Sequence, residues 1–244
     1  MLGWAITDKG VARRENQDSF YLELSHANDQ AVCVVCDGMG GARSGNIASQ
    51  IAADIFCGDL RLQVKPGMSQ KSLKAALASA VSAANKQIYE KARTDADYCG
   101  MGTTLVGAVV TPDSAVVVNV GDSRAYHISQ SGIRQITRDH SLIEDLVGRG
   151  ELTREEAKNH PSKHLITRVL GTDQAVIPDL FIAEFEEGDF LLLCSDGLTN
   201  VVDDQEILFE VLHGGDPMLA CDRLIGMANS RGGPDNITII LIHI

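Results

Sequence analysis

The chain has 244 residues, 44% of them hydrophobic, which fits one large domain or two small ones. Its 33 Asp and Glu outnumber its 21 Lys and Arg, and the net charge of −12 repels nucleic acid and anionic lipid, so we expect no nucleic-acid or membrane partner. No apolar run approaches the roughly 18 residues that span a membrane, and the start of the chain does not resemble a signal peptide. Most of the six cysteines lie in apolar or helical patterns, which predicts free core thiols and a cytoplasmic location.

Apolar patterns predict strands and helices that occur in groups. In chain order these are strands at 19–24 and 31–36, helices at 47–56 and 73–88, strands at 103–111, 115–120 and 124–128, a short capped helix at 153–156, a strand at 190–194, helices at 207–212 and 218–228, and a strand at 237–242. Such grouping favours antiparallel sheets with helices packed outside them. Residues 140–171 are polar and irregular, and we interpret them as a surface flap within a single domain, 1–244.

Four aspartates lie at the ends of predicted core strands. Asp37, Asp122 and Asp196 directly follow apolar runs, and Asp235 precedes the last run. A single Asp-Gly after a strand usually marks only a turn. Several ionised carboxylates at the edge of a core, however, repel one another and are costly unless they are paired or bind a metal. Because these ligands are all oxygens, the pattern predicts Mg²⁺ or Mn²⁺ and not zinc.

The glycine-rich stretch after Asp37 requires unusual backbone angles or close approach to a bound group. It is not a dinucleotide fingerprint, because Arg43 stands where the third glycine would be, and it lacks the Gly-Lys-Ser/Thr of a nucleotide P-loop. A bare turn is one interpretation, and a backbone carbonyl that binds metal is the other. Before the first predicted strand, Arg13 is a candidate phosphate ligand, since a guanidinium donates two parallel hydrogen bonds. Surface arginines more often form only salt bridges.

Three further patterns are weak. His160 and His164 lie four residues apart, but an intervening proline interrupts the helix that would align them. Ser195 lacks the Gly-x-Ser-x-Gly context of a serine hydrolase. Cys33 and Cys36 have the spacing of a metal knuckle, but no second pair accompanies them, which favours core packing.

Taken together, the motifs resemble those of type 2C protein phosphatases, the metal-dependent Ser/Thr phosphatases, in their bacterial form. The resemblance covers nearly the whole chain, and its six motifs occur in the family's order: Arg13-x-x-Asn16-Gln-Asp18, Asp37-Gly-Met-Gly-Gly, Gly102-Thr-Thr, Gly121-Asp-Ser-Arg124, Ser195-Asp-Gly-Leu198 and Asp235-Asn236.

The resemblance implies an α+β fold, a four-layer αββα sandwich in which two antiparallel sheets pack face to face with helices on both outer faces. It implies two Mn²⁺ or Mg²⁺ ions and a third, weaker one. Asp37 would bridge the two ions, with the Gly38 carbonyl on one of them and with Asp196 and Asp235 on the other. Asp122 would bind the third ion.

For catalysis, the resemblance implies that Arg13 binds the substrate phosphate and that Asp18 supports the waters around the ions. Two departures from the family pattern stand out. Met39 and Ala42 occupy positions near which many relatives carry a His that could protonate the leaving oxygen, so the resemblance assigns no proton donor. Gln17 stands where relatives often have Glu.

These features predict hydrolysis of phosphoserine and phosphothreonine in proteins by a hydroxide shared between the two ions, in opposition to a Ser/Thr kinase. We expect a monomer. Two alternatives stay open: a catalytically weak regulator of the same fold that binds phosphoproteins, and a phosphatase of small molecules. Loss of a metal aspartate would mark the regulator, and none is lost.

Overall fold

The computed structural model describes residues 1–25, 29–40, 44–158, 160–162 and 165–244. Within these residues the strands form two antiparallel sheets. The strands are β1 (Leu2–Asp8), β2 (Asp18–Ser25), β3 (Gln30–Met39), β4 (Gly102–Thr103), β5 (Leu105–Val110), β6 (Ser114–Val120), β7 (Arg124–Ser129), β8 (Gly132–Gln135), β9 (Asp179–Glu184), β10 (Phe190–Cys194) and β11 (Ile237–His243).

One sheet has the strand order β1-β11-β10-β7-β8, and the other has the order β2-β3-β5-β6-β9 with the short β4 paired to β3. Chain neighbours β5 and β6 are joined by a hairpin at Pro112-Asp113, where the Thr111 N–H donates to the Ser114 carbonyl at 2.7 Å. Because neighbouring strands are antiparallel, the end of one strand lies beside the start of its neighbour. Residues that end one strand and residues that begin the next therefore meet at the same end of the sandwich.

Helices flank the two sheets. They are α1 (Gly45–Gln63), α2 (Gln70–Thr94), α3 (Leu142–Gly148), α4 (Arg154–Lys158), α5 (Asp196–Thr199), α6 (Asp204–His213) and α7 (Pro217–Ser230). Side-chain caps fix the starts of several of them. The hydroxyl of Ser69 accepts a hydrogen bond from the Ser72 N–H at the start of α2, and Asp203 with Glu206 forms a complete capping box at the start of α6. Among the described residues, no helix is long and apolar enough to cross a membrane.

Three apolar clusters separate four layers. One lies between α1, α2 and the β2–β9 sheet, the second lies between the two sheets, and the third lies between the β1–β8 sheet and the helices α5 to α7. The predicted αββα sandwich is therefore confirmed. Cys33 belongs to the inner cluster and Cys36 to the outer one, so the two thiols face opposite sides of β3 and cannot share a metal ion.

Sequence patterns missed three strands, β1, β8 and β9, and all three lie at sheet edges. An edge strand is only half covered and therefore needs no continuous apolar run. The patterns also missed α3 and the single turn α5. The short helix predicted in the flap segment, residues 140–171, is observed as α4, and α3 precedes it. The segment is therefore less irregular than expected. His164 and residue 163 lie outside the described residues.

Candidate active site

All the candidate aspartates lie at one end of the sandwich. Asp18 begins β2 and is paired with Asp37, near the end of β3. Asp196 begins α5, two residues after the end of β10, and Asp235 lies two residues before β11, the antiparallel neighbour of β10. Asp122 lies in the turn between β6 and β7. Both sheets therefore contribute carboxylates to the same edge.

Asp18 connects the two sheets. Its Oδ2 accepts hydrogen bonds from the Ser195 hydroxyl at 2.8 Å and from the Thr238 hydroxyl at 2.6 Å. Ser195 Oγ also accepts the Thr238 N–H at 2.9 Å. Ser195 is fully buried, so it positions Asp18 and is not an exposed nucleophile. Ser195 follows β10 and Thr238 lies in β11, so the side chain of Asp18 in one sheet is held by residues of the other sheet.

The backbone of Asp37 is clamped on both sides. Its N–H donates to Thr104 Oγ1 at 3.0 Å, and its carbonyl accepts from the Thr104 N–H and the Thr103 hydroxyl, both at 2.9 Å. Thr104 Oγ1 lies 2.7 Å from the hydroxyl of Ser123, which follows Asp122. The hydroxyls of Thr104 and Ser123 therefore connect the backbone of Asp37 to the turn that contains Asp122.

Gly38 is tightly packed against the backbone of neighbouring residues, a close approach of the kind predicted for the glycine-rich stretch after Asp37. Its N–H donates to the Gln17 carbonyl at 3.1 Å. A Cβ at this position would collide with the carbonyl oxygens of Gly45 and Gln17. Only glycine therefore fits here, whatever the Gly38 carbonyl binds. Residues 41–43, including Ala42 and Arg43, lie outside the described residues.

The aspartates share one electrostatic environment. The pKa of Asp18 is raised to about 7, mainly by burial; the hydrogen bonds from Thr238 and Ser195 oppose this shift, and the charges of Asp196 and Asp235 add to it. Burial, with Asp196 and Asp139, raises the pKa of Asp122 to about 8.

For Asp37, burial raises the pKa well above its usual range, and the carboxylates of Asp18, Asp196, Asp122 and Asp235 add to the shift. Asp18, Asp37 and Asp122 therefore resist simultaneous ionisation unless positive charge is supplied.

These residues fit divalent cations by their chemistry. Oδ1 of Asp18 and Oδ1 of Asp122 are buried and have no hydrogen-bond partner, which is costly for a carboxylate. Among the described residues, no three His, Cys, Asp or Glu side chains are arranged so that they could hold a metal ion by themselves. A Mg²⁺-type ion does not need one, because it commonly keeps several waters and takes only one or two carboxylates.

Arg13 supplies positive charge at the edge of this cluster. Its guanidinium donates to Asp235 Oδ2 at 2.7 Å, and its Nε donates to the Pro234 carbonyl at 3.4 Å. The side chain is 53% exposed, so part of the guanidinium faces solvent. This position suits a group that both neutralises a carboxylate and receives an incoming anion.

Asn236 holds the N-terminal loop against the site. Its Oδ1 accepts the Gln17 N–H at 2.8 Å, and its Nδ2 donates to the carbonyls of Lys9 at 2.7 Å and Glu15 at 3.0 Å. The residue is buried. Sequence analysis included Asn236 in a motif but did not assign this structural role.

Four supporting residues had no role predicted from the sequence, although Thr104 and Ser123 lie within the family motifs: Thr104, Ser123, His140 and Thr238. Thr238 did leave a signal, because it is the one polar side chain in the apolar run 237–242. The others contact partners far away in the chain. His160 forms no metal site with the other described residues. Its Nδ1 accepts the Ser162 N–H at 3.1 Å.

Comparison with known proteins agrees with this geometry. Residues 11–222 match the family described as protein phosphatase 2C. A serine/threonine phosphatase stp of Listeria welshimeri is 38% identical over 237 residues, which cover 97% of this chain and 93% of the relative.

Two crystal structures illustrate the similarity of fold. The serine/threonine phosphatase Stp1 of Staphylococcus aureus has a TM-score of 0.91 and 40% identity, covering 99% of this chain and 94% of that one. The serine/threonine phosphatase PstP/Ppp of Mycobacterium tuberculosis has a TM-score of 0.88 and 35% identity, covering 100% of this chain and 98% of that one.

Proposed function

The chain belongs to the protein phosphatase 2C family, and from that membership we infer that it is a serine/threonine protein phosphatase, which hydrolyses phosphoserine and phosphothreonine in proteins. Relatives that span nearly its whole length carry this activity in their names. Metal dependence is typical of the family. The observation that carries the assignment is the meeting of carboxylates from both sheets beside a half-exposed arginine.

We propose Asp37, the Gly38 carbonyl, Asp196 and Asp235 as the ligands of two ions and Asp122 as the ligand of a third. Oxygen ligands favour Mn²⁺ or Mg²⁺. When bound, such ions act as Lewis acids and lower the pKa of water toward neutrality.

The protein's own groups orient the reaction. We propose that Arg13 uses its solvent-facing N–H groups to hold the equatorial oxygens of the phosphate, where charge must be neutralised in phosphoryl transfer. Asp18 offers its unpartnered Oδ1 to a water, because Ser195 and Thr238 occupy Oδ2. Met39 is not an acid, so we propose that the leaving oxygen takes its proton from water.

The broader setting is also proposed. Residues 1–244 would act as one catalytic domain, monomeric and cytoplasmic, with residues 140–171 as the flap and with a Ser/Thr kinase that phosphorylates the same proteins. The regulator alternative is disfavoured because every candidate metal aspartate is present at the site. A small-molecule phosphatase would be distinguished by a preference for small phosphate esters over phosphopeptides.

Asp37→Asn tests the assignment directly. It removes the charge of the carboxylate that faces all four of its neighbours, so Mn²⁺-dependent release of phosphate from a phosphothreonine peptide should be lost. Asp113→Asn is the matched control, because Asp113 lies in the exposed β5–β6 hairpin and should keep full activity. Normal turnover by Asp37→Asn would refute the proposed metal ligand set.

A further inference from the structure

His140, at the start of the flap segment, is buried and bonded through all of its polar atoms. Only 6% of the residue is exposed. Its N–H donates to the Gly121 carbonyl at 2.9 Å, and its own carbonyl accepts the Thr167 N–H at 2.8 Å. These backbone bonds hold the first residue of the flap segment close to the segment's other end and to the turn that carries Asp122.

The imidazole Nδ1 accepts a hydrogen bond from the turn that contains Asp122. Gly121, the residue before Asp122, donates its N–H to Nδ1 at 3.0 Å. Gly121 has a φ of +112°, and a Cβ there would collide with Thr104. Only glycine fits this turn, and the hydrogen bond to the His140 ring is one of the contacts that fix its position. Burial, followed by the charge of Arg168, lowers the pKa of His140, so the neutral ring can accept at Nδ1.

The opposite nitrogen serves the flap. Nε2 lies 3.3 Å from Asp179 Oδ2 and 3.0 Å from a guanidinium nitrogen of Arg168. That same nitrogen of Arg168 also donates to Asp179 Oδ1 and to the Ile177 carbonyl, both at 2.9 Å. Because Nδ1 accepts, the ring proton is on Nε2 and is donated to Asp179. The Arg168 nitrogen donates to Asp179 and Ile177, so its approach to Nε2 is not a hydrogen bond, and Arg168 and His140 are linked through Asp179. Arg168 lies near the end of the flap segment, and Asp179 begins the edge strand β9.

We propose that His140 is a positioning residue of the active site, with one ring nitrogen setting the turn that carries Asp122 and the other fastening the flap through Asp179, which Arg168 also holds. A buried His that merely fills space would not need two polar contacts with two different elements. The first half of the inference rests on the proposed metal role of Asp122, and the second half does not.

Variants can separate the two nitrogens. In His140→Asn, the side-chain oxygen lies near the place of Nδ1 and can accept the Gly121 N–H, but nothing replaces Nε2. In His140→Leu, both contacts are lost at similar volume. In Arg168→Met, the ring is intact and only the flap partner is removed. Arg168 is 38% exposed, so this change leaves the core intact.

Two measurements report on the two contacts. Calorimetric titration with Mn²⁺ reports on the Asp122 turn, and hydrogen exchange of the backbone amides of 165–171 reports on the flap. His140→Leu should weaken the weakest Mn²⁺ site by about tenfold, whereas His140→Asn and Arg168→Met should stay within about threefold of wild type. All three variants should exchange faster over 165–171.

Equal Mn²⁺ affinities for His140→Leu and wild type, or an Asn variant no better than the Leu variant, would overturn the role at the turn. Unchanged exchange in Arg168→Met would overturn the role at the flap, even if the His140 variants fold poorly. Asp122→Asn is titrated alongside. If it binds Mn²⁺ normally, the proposed ligand is wrong, and the exchange data alone then decide whether His140 fastens the flap.

Discussion

The guanidinium of Arg13 donates a hydrogen bond of 2.7 Å to Oδ2 of Asp235, 222 positions further along the chain. Sequence analysis gave these two residues different tasks, one toward phosphate and the other toward a metal ion. Their contact places the proposed phosphate ligand against a proposed metal ligand. With those roles, this ion pair would couple substrate capture to metal binding.

Arg13→Ala should mainly weaken capture of the phosphate. A charge-assisted hydrogen bond contributes about 1.5–3 kcal/mol, so kcat/KM for a phosphopeptide should fall about tenfold or more. The effect should fall more on KM than on kcat. Arg14→Ala is the matched control, since Arg14 is exposed and forms no ion pair with any other described residue. An unchanged kcat/KM would remove Arg13 from the site.

Stability of the chelated protein should fall as the pH rises from 5 to 8. Burial raises the pKa of Asp18 to about 7 and of Asp122 to about 8, above the ordinary value of 3.8 in an unfolded chain. In that window the folded state binds more protons than the unfolded state, so raising the pH favours unfolding. Thermal melts in EDTA at several pH values measure this slope.

Asp122→Asn should flatten the slope, because it removes one of the titrating groups. At pH 8 in EDTA it should raise Tm by about 2–4 °C, the change that roughly 1 kcal/mol produces in a chain of this size. Mn²⁺ should stabilise the wild type more at pH 8 than at pH 5. A wild-type Tm that rises between pH 5 and 8 in EDTA would contradict the cause assigned to these shifts.

Ser195→Ala should raise the pKa of Asp18 further. The Ser195 hydroxyl donates to Asp18 Oδ2, and this bond favours the ionised carboxylate. The midpoint can be followed by carbon NMR of the carboxyl groups in the chelated protein. Ser129→Ala is a suitable control, because that hydroxyl bonds only within an exposed turn. A midpoint that stays or falls would show that another group stabilises the charge.

Asn236→Ala should destabilise the fold. It breaks the three hydrogen bonds by which this buried side chain holds the N-terminal loop. We expect a loss of about 2–4 kcal/mol in the free energy of unfolding, measured with urea. Asn236→Asp should not rescue it, since the two donors to Lys9 and Glu15 are replaced by a negative charge facing their carbonyls. Full rescue by Asp would show that those two bonds contribute little.

Local patterns in the chain were enough to find the buried strands and the two long helices, because periodicity acts over only a few residues. The edge strands β1, β8 and β9 were missed, since a half-covered strand carries a weaker pattern. The resemblance to a family supplied the layer order, which the comparisons confirmed. It also named the candidate residues, whose roles await the variants above.

Asp37, Asp122, Asp196 and Asp235 were recognisable as candidates from their places next to apolar runs. The bond between Arg13 and Asp235, the hold of Ser195 and Thr238 on Asp18, and the two-sided contacts of His140 were not. Each of these contacts joins residues from separate elements, and no pattern over neighbouring residues records which distant side chain will lie opposite. Folding of the two sheets against each other makes those pairings, and it also removes the water that would otherwise keep the carboxylates at ordinary pKa values.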